Sequence, residues 1–175
     1  MKTCSKSPII NKLLEANKEY INNADKNFYA ELEKGQSPFA LIVSCSDSRV
    51  VPEHIFLVPA GSLFVIRTAG NVINEGELAS IEYGIEHLKI KTIIVLAHTN
   101  CGAIHATIRK EKGKYLSPIL DNISYHIIDE CDETKASKLN ALGQVNYIKE
   151  KFKNFKVDVV AMIYDIQTLK VDLID

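Results

Sequence analysis

A chain of 175 residues with a net charge of −1 has the length of one domain and lacks the basic excess of a nucleic-acid or polyanion binder. No stretch approaches the roughly 18 uncharged apolar residues that span a bilayer, and Met1-Lys2-Thr3-Cys4-Ser5-Lys6 leads into no apolar signal segment, so no membrane partner and a cytoplasmic location are expected. In that reducing setting the four cysteines are read as thiols rather than disulfides.

Ser7-Pro8 reads as a helix start, cap then N1 proline, for an apolar stripe through Ile9, Leu13, Leu14, Tyr20 and Ile21. That stripe has no sheet of its own to cover, so the helix is expected to pack on a partner subunit. Residues 25–35 form a second short helix ending at Gly35. Phe39-Ala40-Leu41-Ile42-Val43 is a continuous apolar run, as in a strand buried on both faces. It leads into Ser44-Cys45-Ser46-Asp47-Ser48-Arg49.

Pro52 starts a short helix, residues 63–67 form a strand, and Thr68-Ala69-Gly70-Asn71 is a loop of small residues. Asn74 and Glu77 have capping-box spacing for a helix carrying Leu78, Ile81, Ile85 and Leu88. Residues 92–97 are a second apolar strand, running into His98-Thr99-Asn100-Cys101-Gly102, and Cys101-Gly102 opens a helix to about Lys110. Residues 117–131 and 136–153 read as helices with Leu/Ile stripes, 157–164 as a fourth strand and 169–173 as an edge strand. The order implies an α/β domain: a mainly parallel sheet of four strands plus an edge strand, helices on both faces. The whole of 1–175 is one domain, with a helical arm at 1–35 and an α/β core at 36–175.

Ligands of open parallel sheets bind beyond the carboxyl ends of strands. If the first and the 92–97 strands are neighbours, Cys45, His98 and Cys101 meet there. Two thiolates and one imidazole suit zinc, and three protein ligands leave the fourth position open, the pattern of a catalytic site. Asp47 is placed to orient a water, with Arg49 holding it ionised; the alternative is Asp47 as a fourth ligand that closes the site. Cys4 lies at the terminus without a role, and Cys131 reads as a small half-buried hydrophobe.

Cys45-Ser46-Asp47-Ser48-Arg49 and His98-Thr99-Asn100-Cys101 resemble the paired Cys-x-Asp-x-Arg and His-x-x-Cys motifs of the β-class carbonic anhydrases. Phe64 to Asn71, Ile81-Glu82-Tyr83 and Tyr164-Asp165-Ile166 extend the likeness from about Gln36 to Ile166. The resemblance implies one Zn2+ per chain on Cys45, His98 and Cys101, with Asp47–Arg49 as the orienting dyad. The implied reaction is reversible hydration of CO2 to bicarbonate and a proton by a zinc-bound hydroxide.

It further implies a substrate pocket with Gln36, Phe64, Tyr83 and Gly102, and a homodimer or larger homo-oligomer whose cleft is lined from both subunits. Gln36, Phe64 and Tyr83 match the plant-type, always-open subclass; the bicarbonate-regulated one carries tryptophan where this chain has Ile42. Departures from the family pattern are Ala97 before the histidine, Thr68 for a common asparagine, and Leu169 where a glycine is usual. A carbonyl sulfide or carbon disulfide hydrolase on the same zinc site, and a non-catalytic zinc or bicarbonate binder, are the alternatives. His54, His87, His105 and His126 are candidate proton shuttles by residue type alone.

Overall fold

The computed structural model describes residues 7–175, so Cys4 lies outside the described part. The chain divides into two units, one ending at Gln36 and the other Ser37–Asp175. In the first, α1 (Pro8–Asn23) has Pro8 in its first turn, but the Ser7 side chain makes no capping bond. The start therefore rests on the proline's fixed φ rather than on the expected cap. α2 (Lys26–Leu32) is capped by Asp25, whose carboxylate accepts from the N–H groups of Asn27 and Phe28 at 3.0 and 3.3 Å. The Tyr20 and Tyr29 hydroxyls hydrogen-bond, with the rings edge to face at 5.9 Å. No residue of α1 is buried; Ile9 is 70% and Leu13 65% exposed.

The second unit runs β1 (Ala40–Cys45), α3 (Pro52–Ile55), β2 (Leu63–Thr68), a 3-10 turn at Ala69–Asn71, α4 (Glu75–Glu86), β3 (Thr92–His98), α5 (Gly102–Ile108), α6 (Ser117–Ile127), α7 (Glu133–Lys151), β4 (Asp158–Tyr164) and β5 (Val171–Ile174). The sheet order is β2-β1-β3-β4-β5; the first four strands are parallel and β5 is antiparallel to β4. β1 is buried at every position because it is internal and covered on both faces, which its unbroken apolar run foretold. One face, through Leu41, Val43, Ile93, Val95 and Val159, packs on α4 and α7. The other, through Ile42, Ile94 and Leu96, packs on Val50, Ile55 and Phe56 at α3.

The capping box of α4 forms as its spacing predicts, the Asn74 N–H donating to the Glu77 carboxylate at 2.9 Å. Several boundaries differ: α2 ends at Leu32 rather than Gly35, α7 runs Glu133–Lys151 rather than 136–153, and two more bear on residues read above. α6 stops at Ile127, which leaves Cys131 exposed in the following loop instead of half-buried beside a helix. β5 begins at Val171, because Leu169 occupies a left-handed turn position (φ 62°) where glycine would be relaxed.

Candidate metal centre

β1 and β3 are neighbours, with Ser44 beside Leu96, so Cys45 and His98 leave the sheet at the same end. Cys101 follows three residues later at the N-cap of α5. The ligand atoms of Cys45, His98 and Cys101 lie within 4.8 Å of one another, and all three residues are buried. The two sulfurs are 4.0 Å apart. Two thiolates on one tetrahedral zinc would stand about 3.8 Å apart, given Zn–S bonds of about 2.3 Å.

His98 supplies a further test of fit. Its Nδ1 pairs with the Thr99 carbonyl at 2.9 Å, which places the proton there and leaves Nε2 with a lone pair. That Nε2 is buried and has no hydrogen-bond partner among the described residues. An orphaned buried nitrogen costs about 1–3 kcal/mol unless something coordinates it.

The sulfurs point the same way. The bond from Cys101, helped by the N–H groups of Asp47 and Gly70, holds the Cys45 thiol well below its usual range. Cys45 in turn, together with burial, pushes Cys101 up. Two adjacent buried thiols cannot both ionise alone, whereas a divalent cation takes both as thiolates. The donor set therefore fits one zinc ion.

Asp47 stands beside this group and is not part of it. Its Oδ1 accepts from the Arg49 N–H at 3.0 Å and Nε at 2.9 Å, and its Oδ2 from Nη2 at 2.8 Å. Arg49 also donates to the Asn100 carbonyl at 3.1 Å, tying the dyad to the loop that carries Cys101. A carboxylate has about four acceptor positions. Arg49 fills both on Oδ1 and one on Oδ2, so one lone pair on Oδ2 remains. The Arg49 guanidinium also holds Asp47 well below the usual carboxylate range. A depressed carboxyl is charged above its folded pKa, so Asp47 is an anion throughout the neutral range.

A family model described as carbonic anhydrase matches residues 40–171. The carbonic anhydrase of Emericella nidulans is 35% identical over 165 residues, covering 88% of this chain and 72% of that one. A match to carbonic anhydrase 2 of Mycobacterium tuberculosis, 38% identical, covers 57% of this chain and spans half of the relative. The chain belongs to the carbonic anhydrase family. Among solved structures, the Coccomyxa β-carbonic anhydrase in complex with acetazolamide superposes with a TM-score of 0.81 at 26% identity, covering 95% of this chain and 86% of that one. The β-carbonic anhydrase CcaA gives 0.80 at 27%, covering 94% and 87%. The chain thus has the β-class fold, and CO2 hydration at zinc is the reaction typical of that class.

Against the β-class pattern, the other expected residues divide. Gly102 opens α5 next to Cys101, and a Cβ there would meet nothing within 4 Å. Phe64 and Tyr83 face each other with ring centroids 6.1 Å apart, and Tyr83 stacks on His87 at 5.0 Å. Phe64, however, lies beside Leu41, whereas Cys45 lies beside Thr68. Four residues of strand, about 13 Å, separate the aromatic pair's end of the sheet from the metal group in the same chain. Gln36 is exposed at the end of the first unit.

One feature went unread in the sequence, and a second was read only as a loop of small residues. Arg67 donates from Nε to the Cys45 carbonyl at 3.2 Å and from Nη2 to the Asp47 carbonyl at 2.8 Å, clamping the end of β1. Its position as the one cation of an apolar strand was the available signal. Gly70 sends its N–H to the Cys45 sulfur at 3.3 Å. It has φ 65°, and a Cβ there would lie 2.8 Å from Ile123 Cδ1 and 3.1 Å from Ala103 Cβ. Gly70→Ala is expected to cost about 1–3 kcal/mol through overpacking and strain. An unchanged thermal midpoint would show that the loop yields freely.

Proposed function

We propose that this protein catalyses the reversible hydration of CO2 to bicarbonate and a proton, with Cys45, His98 and Cys101 holding one zinc and Asp47–Arg49 working beside it. The observation that carries the reading is the free, buried Nε2 of His98 set against two sulfurs that together fit a dication. A bound zinc acidifies a coordinated water, which supplies a nucleophile near neutral pH. Asp47 accepts a hydrogen bond from the attacking water on the spare lone pair of Oδ2 and so aims an oxygen lone pair at CO2. Arg49 keeps that carboxylate charged and held in its guanidinium fork. CO2 carries no charge, so an apolar surround suits it, and Val72 and Ile104 pack around Cys45 and Cys101.

The Asp47 carboxylate, held in the Arg49 fork and outside the cluster, supports the always-open subclass, as does Ile42 at the regulatory tryptophan's position. Hydration followed with increasing bicarbonate should then show simple product inhibition; a cooperative loss, steeper at lower pH, would refute the open subclass. Faster turnover of carbonyl sulfide than of CO2 would refute the substrate.

The working unit we propose is a cytoplasmic homodimer or larger homo-oligomer. The exposed apolar face of α1 supports it, and so does the separation of Phe64 and Tyr83 from the metal group. If those two rings line a substrate pocket, they do so for the metal of another copy. Replacing Leu13 and Leu14 together by Glu should dissociate the oligomer in sedimentation and lower activity. An active monomer at micromolar concentration would contradict the shared cleft.

A further inference from the structure

Two amide side chains, Asn140 and Gln144, are wholly buried on α7 where apolar residues would pack more simply. Neither hydrogen-bonds to the metal group or the Asp47–Arg49 pair, yet both reach the loop that runs from Gly70 to Ile73. Asn140 Nδ2 donates to the Gly70 carbonyl at 2.8 Å. Gln144 Oε1 accepts from the Ile73 N–H at 3.1 Å, while its Nε2 donates to Asn122 Oδ1 at 2.7 Å and to Asn140 Oδ1 at 3.3 Å. Both ends of the loop are therefore gripped from α7, and the grip is anchored on α6 through Asn122.

That loop closes on itself, the Thr68 hydroxyl donating to the Val72 carbonyl at 2.7 Å, and the bonds from α7 fix where it sits. Gly70 and Asn71 are consecutive left-handed residues, with φ of 65° and 49°, a conformation open to glycine and asparagine, and a Cβ at Gly70 would collide with Ile123. The loop's product is one hydrogen bond, the Gly70 N–H on the Cys45 sulfur. Among the described residues, the only other backbone donor on that sulfur is the Asp47 N–H, at 3.4 Å. A donor on a thiolate fixes its direction and withdraws part of its charge, which sets how firmly it holds a cation.

We propose that Asn140 is a positioning residue for the metal centre: backed by Gln144 and Asn122, it holds the Gly70 N–H on the Cys45 sulfur. The inference rests on the reading that Cys45 is a zinc ligand. Partners of this kind, beyond the ligands themselves, typically change metal affinity by about 10–100-fold when removed.

The test uses the full-length protein and Asn140→Leu, which keeps the heavy-atom count and branching of the side chain and removes both its donor and its acceptor. Zinc affinity is read by chelator competition. The Gly70 hydrogen bond is read in the cadmium-113-loaded protein, as coupling between the Gly70 amide proton and the metal through the sulfur. Asn140→Leu should weaken zinc by about 10-fold or more and abolish that coupling. Ile148→Val, a buried change on the same helix in the other apolar cluster, should lower thermal stability and move neither reading.

Retained coupling with zinc affinity within about two-fold of wild type would overturn the proposal and leave Asn140 as packing. If Asn140→Leu does not fold, Asn122→Ala decides, since Asn122 is half-buried and anchors Gln144. Its coupling and affinity should move the same way, and unchanged values overturn the proposal. Wild-type protein that binds metal without coupling at Gly70 overturns it too. Failure of wild-type protein to bind zinc at all would instead strike the ligand reading of Cys45, and the proposal with it.

Discussion

Asp47→Asn should keep its zinc and lose CO2 hydration by at least about 10–100-fold. The ligand atoms are untouched, so metal content is expected to stay at that of the wild type. What changes is the acceptor inventory. Asp47 gives three of its acceptor positions to Arg49 and keeps one for the reacting water. An asparagine has a single carbonyl oxygen and an NH2 group. If the oxygen faces Arg49, the NH2 faces the water and turns its lone pair away from CO2. If the oxygen faces the water, the NH2 meets the guanidinium, donor against donor, and the fork opens. The group also loses the charge that pairs with Arg49. In the proposed mechanism Asp47 touches the reacting water, so the loss should equal or exceed that for more distant groups. Fully metallated Asp47→Asn protein hydrating CO2 within about two-fold of wild type, roughly 0.4 kcal/mol, would make the dyad structural and this mechanism wrong.

Cys45→Ser and His98→Ala should each release the zinc and with it the activity. Serine offers a weakly acidic hydroxyl where a thiolate is needed, and alanine leaves two sulfurs without the imidazole. The loss of affinity should exceed the roughly 10–100-fold typical of groups that only support a ligand. Metal content after dialysis against chelator checks it: near-zero in both variants, wild-type level in Cys131→Ser, whose thiol is exposed and remote in the chain from the cluster. Full occupancy in Cys45→Ser would remove Cys45 from the ligand set.

The parts of the fold legible in the sequence were those where local pattern and burial agree. The apolar runs of β1 and β3 are continuous because both strands are internal to a parallel sheet, and the ligand types cluster just where those runs end. Adjacency of the two strands then brings together residues 53 and 56 positions apart in the chain, from Cys45 to His98 and to Cys101. α7 misled the reading. Its buried stripe is Ala136, Ser137, Asn140, Ala141, Gln144, Val145 and Ile148 rather than Leu/Ile, and Leu139 points outward at 40% exposure. A helical period counts apolar residues, and it cannot show that an Asn and a Gln one turn apart face inward to hold a loop. Phe64 and Tyr83 mark a second limit, since pattern gives no hint that about 13 Å of strand separates them from the metal group of the same chain.

The most direct test adds zinc stepwise to metal-free protein and follows CO2 hydration by stopped flow. The rate should rise in proportion to zinc and level off at about one ion per chain, the capacity of a single three-ligand site. Chains that take up one zinc each and hydrate CO2 no faster than the buffer would contradict the account.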